Sequence, residues 1–171
     1  MMALVAFPTI AADVGEELQD IPNAGDWVYE IKLDGYRLMT RFASGKPALI
    51  TRNGHDWSAK MPVVVRDLTN LGIESGWLDG EVVVLRDGGV PDFNALQNAF
   101  DRGTGNDIVY FLFDVPFFEG YDLRQATLRD RRRFLESFLR KEPRNMSVLA
   151  PPSTPIRGRS FSLRVAWAWR A

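Results

Sequence analysis

The chain has 171 residues, of which 46% are hydrophobic and 25% are charged, a composition that suits one domain with a sizeable core. It contains no cysteine, which excludes disulfides and thiolate zinc sites and agrees with a reducing cytoplasm. The first residues lack the basic segment of a signal peptide, and no apolar run approaches the length of a membrane span. We therefore expect a cytoplasmic protein without a membrane association.

The net charge of -1 is unevenly distributed along the chain. No acidic residue follows Glu142, whereas five arginines do. That segment therefore carries a charge of +5, and the rest of the chain carries -6. Because phosphate contacts require lysine and arginine, an acidic body excludes a simple nucleic-acid binder. Any DNA contact would have to use a local basic patch.

The predicted elements follow from turn residues and from hydrophobic spacing. Residues 1–24 are predicted to be an irregular lead-in, since prolines and glycines interrupt them. The next elements are expected to be a strand at 27–33, a hairpin of 37–42 and 48–52, a loop at 52–57 and a helix from Pro62 to Leu71. A strand at 77–85, a turn at 87–89 and a helix at 92–100 should follow, with Asp92 as the N-cap of that helix. The last two are a strand at 107–118, buried on both faces, and a helix that begins at Thr127, in capping-box spacing with Asp130.

Strands in this order come in pairs with single helices between them. This pattern predicts an α+β fold of antiparallel sheets with outer helices. It fails from about residue 143, where prolines, arginines and tryptophans dominate. We therefore expect a folded unit over residues 1–142 and an atypical basic tail over 143–171, which is either disordered or frameshifted.

The stretch YEIKLDGYR, residues 29–37, places charged side chains at alternate positions of a strand. Glu30, Lys32 and Asp34 would share the face opposite the apolar residues. Gly35 would allow a backbone or a ligand to come close, and Arg37 supplies positive charge suited to phosphate or to a hydroxyl-rich ligand. A lysine is nucleophilic when it is neutral, and flanking carboxylates favour its charged form unless a metal or substrate occupies them. The alternative is an ordinary solvated lysine.

The string E-x-K-x-D-G-x-R at 30–37 resembles the nucleotidyl-lysine motif of ATP-dependent DNA ligases, RNA ligases and mRNA capping enzymes. Three further stretches resemble later motifs of this superfamily in the same order: TRNG at 51–54, LDGEVVV at 78–84 and FLFDVPFF at 111–118. Over roughly residues 20–142 the chain is similar to the ligase domain of bacterial ligase D proteins. The resemblance implies an ATP-grasp-like nucleotidyltransferase fold, the adenylation domain of a DNA ligase.

The resemblance also implies a role for each matching residue. Lys32 would attack the α-phosphate of ATP and form a lysyl–AMP intermediate, and Glu30 would read the adenine amino group. Arg52 would contact the ribose or the 5′-phosphate of DNA. Glu81 would bond the ribose and support Mg²⁺ or Mn²⁺, and Phe113 would stack on the purine. The expected partners are nicked or broken double-stranded DNA, with Ku and a polymerase module in nonhomologous end joining.

Each of these residues has a simpler interpretation. Arg52 alone suits an exposed surface, Glu81 a solvent-facing strand position, and Phe113 a hydrophobic core. His55, beside Arg52, is expected to be a surface residue or a contact to DNA. The arginine-rich cluster at 129–133 is expected to be the solvated face of an amphipathic helix rather than a phosphate-binding patch.

Some motifs of the family are not found after Glu142. They are an E-G-[IV]-V-x-K strand, a K-x-K strand and an OB-fold domain. Two hypotheses therefore stand: a partial ATP-dependent DNA ligase, or a catalytically incompetent remnant that binds nucleotide or a partner protein. A split enzyme completed by another chain lies between them.

Overall fold

The computed structural model describes residues 3–8, 16–18, 27–87, 89–102, 107–140, 148–149 and 154–155. Within them the chain forms ten strands, three α-helices and a 3₁₀ turn at Ser58–Lys60. The strands are β1 (Ala3–Pro8), β2 (Glu16–Leu18), β3 (Trp27–Lys32), β4 (Tyr36–Ala43), β5 (Lys46–Thr51), β6 (Ser75–Val84), β7 (Ile108–Phe118), β8 (Tyr121–Asp122), β9 (Val148–Leu149) and β10 (Thr154–Pro155). The helices are α1 (Pro62–Asn70), α2 (Phe93–Arg102) and α3 (Leu128–Leu139).

One sheet has the strand order β10-β3-β1-β2, and its neighbouring strands are all antiparallel. It confirms the predicted strand β3. The prediction of an irregular lead-in over residues 1–24 is wrong, because β1 and β2 lie within it. The error has a physical cause: β1 pairs along its whole length with β3, and this distant partner satisfies backbone groups that local turn signals cannot account for.

The other sheet has the order β5-β4-β6-β7-β8, again antiparallel, and β9 pairs parallel to β7. The predicted hairpin is confirmed: β4 and β5 are joined at Ser44 and Gly45, whose φ angles are 52° and 73°, the conformation that tight hairpins favour. In this order β6 lies in the interior of the sheet, between β4 and β7.

The helices begin where the sequence predicts. Pro62 starts α1, the side chain of Asp92 accepts the Ala95 amide at 3.1 Å before α2, and Thr127 accepts the Asp130 amide at 3.2 Å before α3. Together with β4–β7 they enclose one core, whose fully buried members include Leu38, Leu49, Val64, Leu68, Val82, Leu96, Leu112 and Leu135. No helix in the described part of the chain is long and apolar enough to cross a membrane.

The arginine-rich start of α3 differs from its prediction. Arg129 and Arg133 are exposed as expected, but Arg131 and Arg132 are buried, with only 5% and 7% of their surface accessible. The interpretation of the cluster as a solvated face is therefore wrong for these two residues. Arg131 is buried because it reaches across to a carboxylate on β7, that of Asp114.

Candidate functional site

Three of the predicted site residues come together on β4, β6 and β7. Arg37 on β4 is the direct cross-strand partner of Glu81 on β6, so their side chains emerge on the same face of the sheet. The guanidinium carbon of Arg37 lies 5.7 Å from the centroid of the Phe113 ring, within the range of a cation–π contact. A cation, a carboxylate and an aromatic ring are thus adjacent, although Arg37 and Phe113 are 76 positions apart in the chain.

Asp79 completes this group, and the sequence analysis did not single it out. Arg37 donates from Nε and Nη2 to the two carboxylate oxygens of Asp79, the first at 3.1 Å. The Asp79 side chain is 11% exposed, while that of Arg37 is 69% exposed. The hydrogen bond to Asp79 raises the pKa of Arg37, and the charges of Asp79, Glu81 and Asp114 add to it. Arg37 therefore remains a cation that faces solvent from an anchored position.

Glu81 is a partly buried carboxylate whose pKa is set by its burial and by four nearby groups. Burial raises its pKa, and the charges of Asp34 and Asp79 act in the same direction. The backbone amide of Gly35, which donates to it, and the charge of Arg37 oppose this rise. Such a carboxylate can accept from a hydroxyl or bind a cation.

A divalent metal would have to share its ligands with a substrate at this site. The described residues contain no group of three acidic or histidine side chains placed to hold a metal ion. Mg²⁺ commonly takes one or two protein carboxylates and completes its coordination with water and substrate phosphates. Glu81 fits that role as a single ligand.

Gly35 brings the start of β4 against β6. A Cβ atom built on Gly35 would lie 2.1 Å from the carbonyl oxygen of Val82, a distance that no side chain tolerates. The prediction of a close approach at Gly35 is confirmed, and the approaching group is the backbone of β6. This contact places the Gly35 amide beside Glu81.

Phe113 lies at an irregularity of β7. Leu112 pairs with Gly80 and Asp114 pairs with Asp79, so Phe113 is an extra residue with no partner on β6, as in a β-bulge. Phe113 is half-buried. It is therefore neither enclosed in the core nor fully exposed to solvent. The burial of β7 on both faces is confirmed at its centre, where Tyr110, Phe111 and Leu112 are all buried.

Asp114, next to Phe113, forms a largely buried ion pair that the sequence analysis also missed, in which only the arginine is fully buried. Its two carboxylate oxygens accept from Nε and Nη2 of Arg131 at 2.7 and 2.9 Å. One signal could have found this pair: Asp114 is the only charged residue in the apolar run 108–118. A buried charge requires a partner, and the nearest arginine-rich segment follows directly.

The remaining predicted residues do not join this cluster. Arg52 and His55 are exposed on the loop after β5, and no described contact connects Arg52 with Arg37, Glu81 or Phe113. Glu30 and Lys32 lie in β3, where Val5 and Ala3 are their backbone partners. The structure describes the backbone of these two residues but not their side chains, so the roles of Glu30 and Lys32 stay predictions.

The fold of the chain matches solved structures of one class. The ligase domain of M. tuberculosis LigD matches with a TM-score of 0.66 and 32% sequence identity, over 78% of this chain and 42% of that one. A mycobacterial DNA ligase D complexed with ATP and MES matches with a TM-score of 0.61 and 32% identity, over 76% of this chain and 41% of that one. The fold is that of a nucleotidyltransferase, as the resemblance implied, and its antiparallel sheet with helices confirms the α+β prediction.

The family model of the ATP dependent DNA ligase domain matches residues 8–155. The chain belongs to this family. The multifunctional non-homologous end joining protein LigD of Pseudomonas aeruginosa is 53% identical over 122 residues, which are 71% of this chain and 14% of that protein. The chain thus spans less than half of the ligase domain of M. tuberculosis LigD and a much smaller part of a whole LigD protein.

Proposed function

We propose that the chain carries out the first step of ATP-dependent DNA ligation, the transfer of AMP from ATP to Lys32. The observation that supports this most directly is the meeting of Arg37, Glu81 and Phe113 on three neighbouring strands of a ligase-family chain. A guanidinium suits phosphate, a carboxylate accepts from ribose hydroxyls, and an aromatic ring stacks on a purine. Each part of ATP therefore has a chemically matched residue.

In the proposed step, Nζ of Lys32 gives up its proton to solvent and attacks the α-phosphorus of ATP. A nitrogen–phosphorus bond forms, the bond from the α-phosphorus to the bridging oxygen breaks, and pyrophosphate leaves with the bonding electrons. Such transfers depend on positioning and on charge neutralisation. Glu30 and Phe113 would hold the adenine, and Arg37 would hold the ribose or a phosphate. Mg²⁺ or Mn²⁺, held by Glu81 together with the phosphates, would supply further positive charge.

The later steps and partners extend the same proposal. The AMP would pass to a 5′-phosphate at a nick or break in double-stranded DNA, and Arg52, which is exposed on its loop, would contact that phosphate. Attack by a 3′-hydroxyl would then seal the strand and release AMP. Ku and a polymerase module are the proposed partners, since the relatives act in end joining by name. We place the reaction in the cytoplasm, with residues 1–142 as the adenylation unit and 143–171 as a basic tail.

The deciding experiment incubates the protein with ATP labelled at the α-phosphate and with MgCl₂, followed by denaturing electrophoresis. We expect an acid-labile label on the protein, because the phosphoramidate bond is broken by acid. Lys32→Ala should abolish the label, whereas Lys46→Ala, which changes an exposed lysine on the β4–β5 turn, should keep it. Label that persists in Lys32→Ala would exclude Lys32 as the nucleophile.

A folded protein that takes no label would favour the alternative, a remnant or one half of a split enzyme. Equilibrium binding of α,β-methylene-ATP, which cannot release pyrophosphate at that bond, separates those two cases from loss of the site. Binding without labelling would mean that the nucleotide site is present and the chemistry needs another segment.

A further inference from the structure

We propose that Arg131 is a positioning residue of the nucleotide site, which acts through Asp114 on Phe113 and Arg37. The proposal rests on the proposed function, because it assumes that Phe113 and Arg37 contact the nucleotide. It concerns a residue on α3 that has no part in the motifs and whose side chain is almost fully buried.

The first argument concerns what holds Phe113 in place. As the extra residue of a bulge, Phe113 has no partner on β6, and bulges re-aim a side chain at the expense of regular pairing. The next residue, Asp114, is held firmly instead. Its Oδ1 accepts from the Val115 amide at 2.7 Å in addition to Nε of Arg131. The bulge is thus fixed from the side of α3.

The second argument concerns the rigidity of Arg131 itself. Two of its nitrogens grip Asp114 as a fork, and its Nη1 donates to the carbonyl oxygen of Ala126 at 2.7 Å. A planar guanidinium with three fixed acceptors has little freedom left. Buried ion pairs contribute little to stability over apolar packing, because both charges lose water. The Arg131–Asp114 pair can instead hold the bulge in one geometry, which an apolar pair without directional hydrogen bonds could not do.

The third argument concerns charge. Asp114 and Asp79 are directly opposed on β7 and β6, and like charges in that position repel each other. Each has its own arginine: Arg131 holds Asp114, and Arg37 holds Asp79. Because Arg37 is largely exposed and already feels the charge of Asp114, an Asp114 without Arg131 would compete for it. Arg131 therefore keeps Arg37 with Asp79 and beside the Phe113 ring.

The test measures equilibrium binding of α,β-methylene-ATP to the full chain by titration calorimetry. Arg131→Lys keeps the charge and removes the fork, and we expect it to raise the Kd about tenfold, within the range of coupled neighbours. Thr127→Ala removes the cap of the same helix and is the matched control. It should lower the unfolding midpoint as much as Arg131→Lys does and leave the Kd within about twofold.

A double-mutant cycle with Phe113→Ala decides whether Arg131 acts through the ring. Phe113→Ala should raise the Kd by about tenfold or more, since base stacking is lost. Adding Arg131→Lys to Phe113→Ala should then raise the Kd by clearly less than the tenfold expected of the single variant, because only the part that acts through Arg37 remains. An undiminished effect of Arg131→Lys in the double variant, or no effect in the single one, would overturn the proposal.

The experiment also separates a failure to fold, a failure of the proposed function and a failure of this proposal alone. If Arg131→Lys does not fold, Arg131→Gln combined with Asp114→Asn replaces the ion pair by a neutral pair without the guanidinium fork. A rise in Kd is expected because the bulge is less firmly held, and it should be smaller than tenfold because no unpaired carboxylate then competes for Arg37. If the unaltered chain does not bind α,β-methylene-ATP, the proposed function fails and this proposal fails with it. Binding by the unaltered chain with an unchanged Kd in the Arg131 variants overturns this proposal alone.

Discussion

At Gly35 a missing side chain decides the path of the backbone. The carbonyl oxygen of Val82 occupies the position where a Cβ atom of any other residue would be. The chain can therefore pass directly from β3 to β4, and the backbone amide of Gly35 can donate to Glu81. The glycine of the K-x-D-G string thus has a structural reason that is independent of any ligand.

Gly35→Ala is expected to lower the free energy of unfolding by about 3 kcal/mol, the upper part of the range for overpacking, because the obstacle is backbone. Gly54→Ala is the control: it has a φ of 80° and open space around it, so that only the left-handed conformation is penalised, by about 1 kcal/mol. Urea denaturation of the two variants measures the difference. Equal losses would mean that β4 can move away from β6 without cost.

The sequence predicts the charged and aromatic residues of the site better than it predicts their supports. Arg37, Glu81 and Phe113 were identified from motif resemblance, and they do lie together. Asp79 and Arg131 were missed, because their importance depends on the pairing of β6 with its neighbours and on the docking of α3. For Asp79 no local pattern contains that information, and for Arg131 the lone charge of Asp114 in its apolar run predicts only that some arginine pairs with it. Which arginine would reach Asp114 could not be derived from spacing alone.

At the scale of elements, α2 begins at an ion pair that is also its cap. Asp92 accepts from Nε of Arg86 and from the Ala95 amide. The hydrogen bond from Arg86 lowers the pKa of Asp92, and the Ala95 amide lowers it further. The start of α2 is therefore stabilised by a carboxylate that must be ionised.

This lowered pKa gives stability a pH dependence of known sign. The contribution of Asp92 is fully present above its unfolded pKa of about 3.9 and is lost as the pH falls through the lower folded value. We expect Asp92→Asn to lower the thermal midpoint at pH 6 and to reduce the further loss between pH 5 and pH 3. Gln97→Ala, which changes an exposed and uncharged residue of α2, should leave the loss unchanged. Equal acid sensitivity in both variants would contradict the assignment.

Element boundaries were predictable where a cap or a turn fixes them. Thr127 and Asp92 mark helix starts by their own hydrogen bonds, and the predicted hairpin is closed at Ser44 and Gly45. The strands β1 and β2 were missed, because prolines and glycines separate β1 from its partner β3 in the sequence. The two-residue strand β8 is too short to leave a periodic pattern.

At the scale of the whole molecule, Tyr110 ties three strands together. Its buried hydroxyl on β7 donates to the carbonyl oxygen of Leu38 at 2.8 Å and accepts from Thr40 at 3.1 Å, both on β4. The ring crosses β6 at Gly80, where a Cβ atom would lie 2.6 Å from it. Burial raises the pKa of Tyr110, so the hydroxyl stays protonated and can donate.

Tyr110→Phe is expected to lower the free energy of unfolding by about 2 kcal/mol, because it leaves buried groups of Leu38 and Thr40 without this partner. Tyr121→Phe removes the same hydroxyl from an exposed ring and should cost less than about 0.5 kcal/mol. Denaturant titrations of both proteins test the pair. A small effect at Tyr110 would indicate that water or a shifted side chain replaces the bond.

The interior position of β6 has a consequence for how the molecule loses function. Asp79 and Glu81 lie on a strand that is hydrogen-bonded along both sides, whereas β5 and β8 are the ends of the strand order. Local opening of a native protein starts at such ends and at loops, and interior strands open with the global transition. Fluctuations that release β5 or β8 would leave Arg37 and Glu81 paired. The cluster is thus lost in an all-or-none manner, together with the fold.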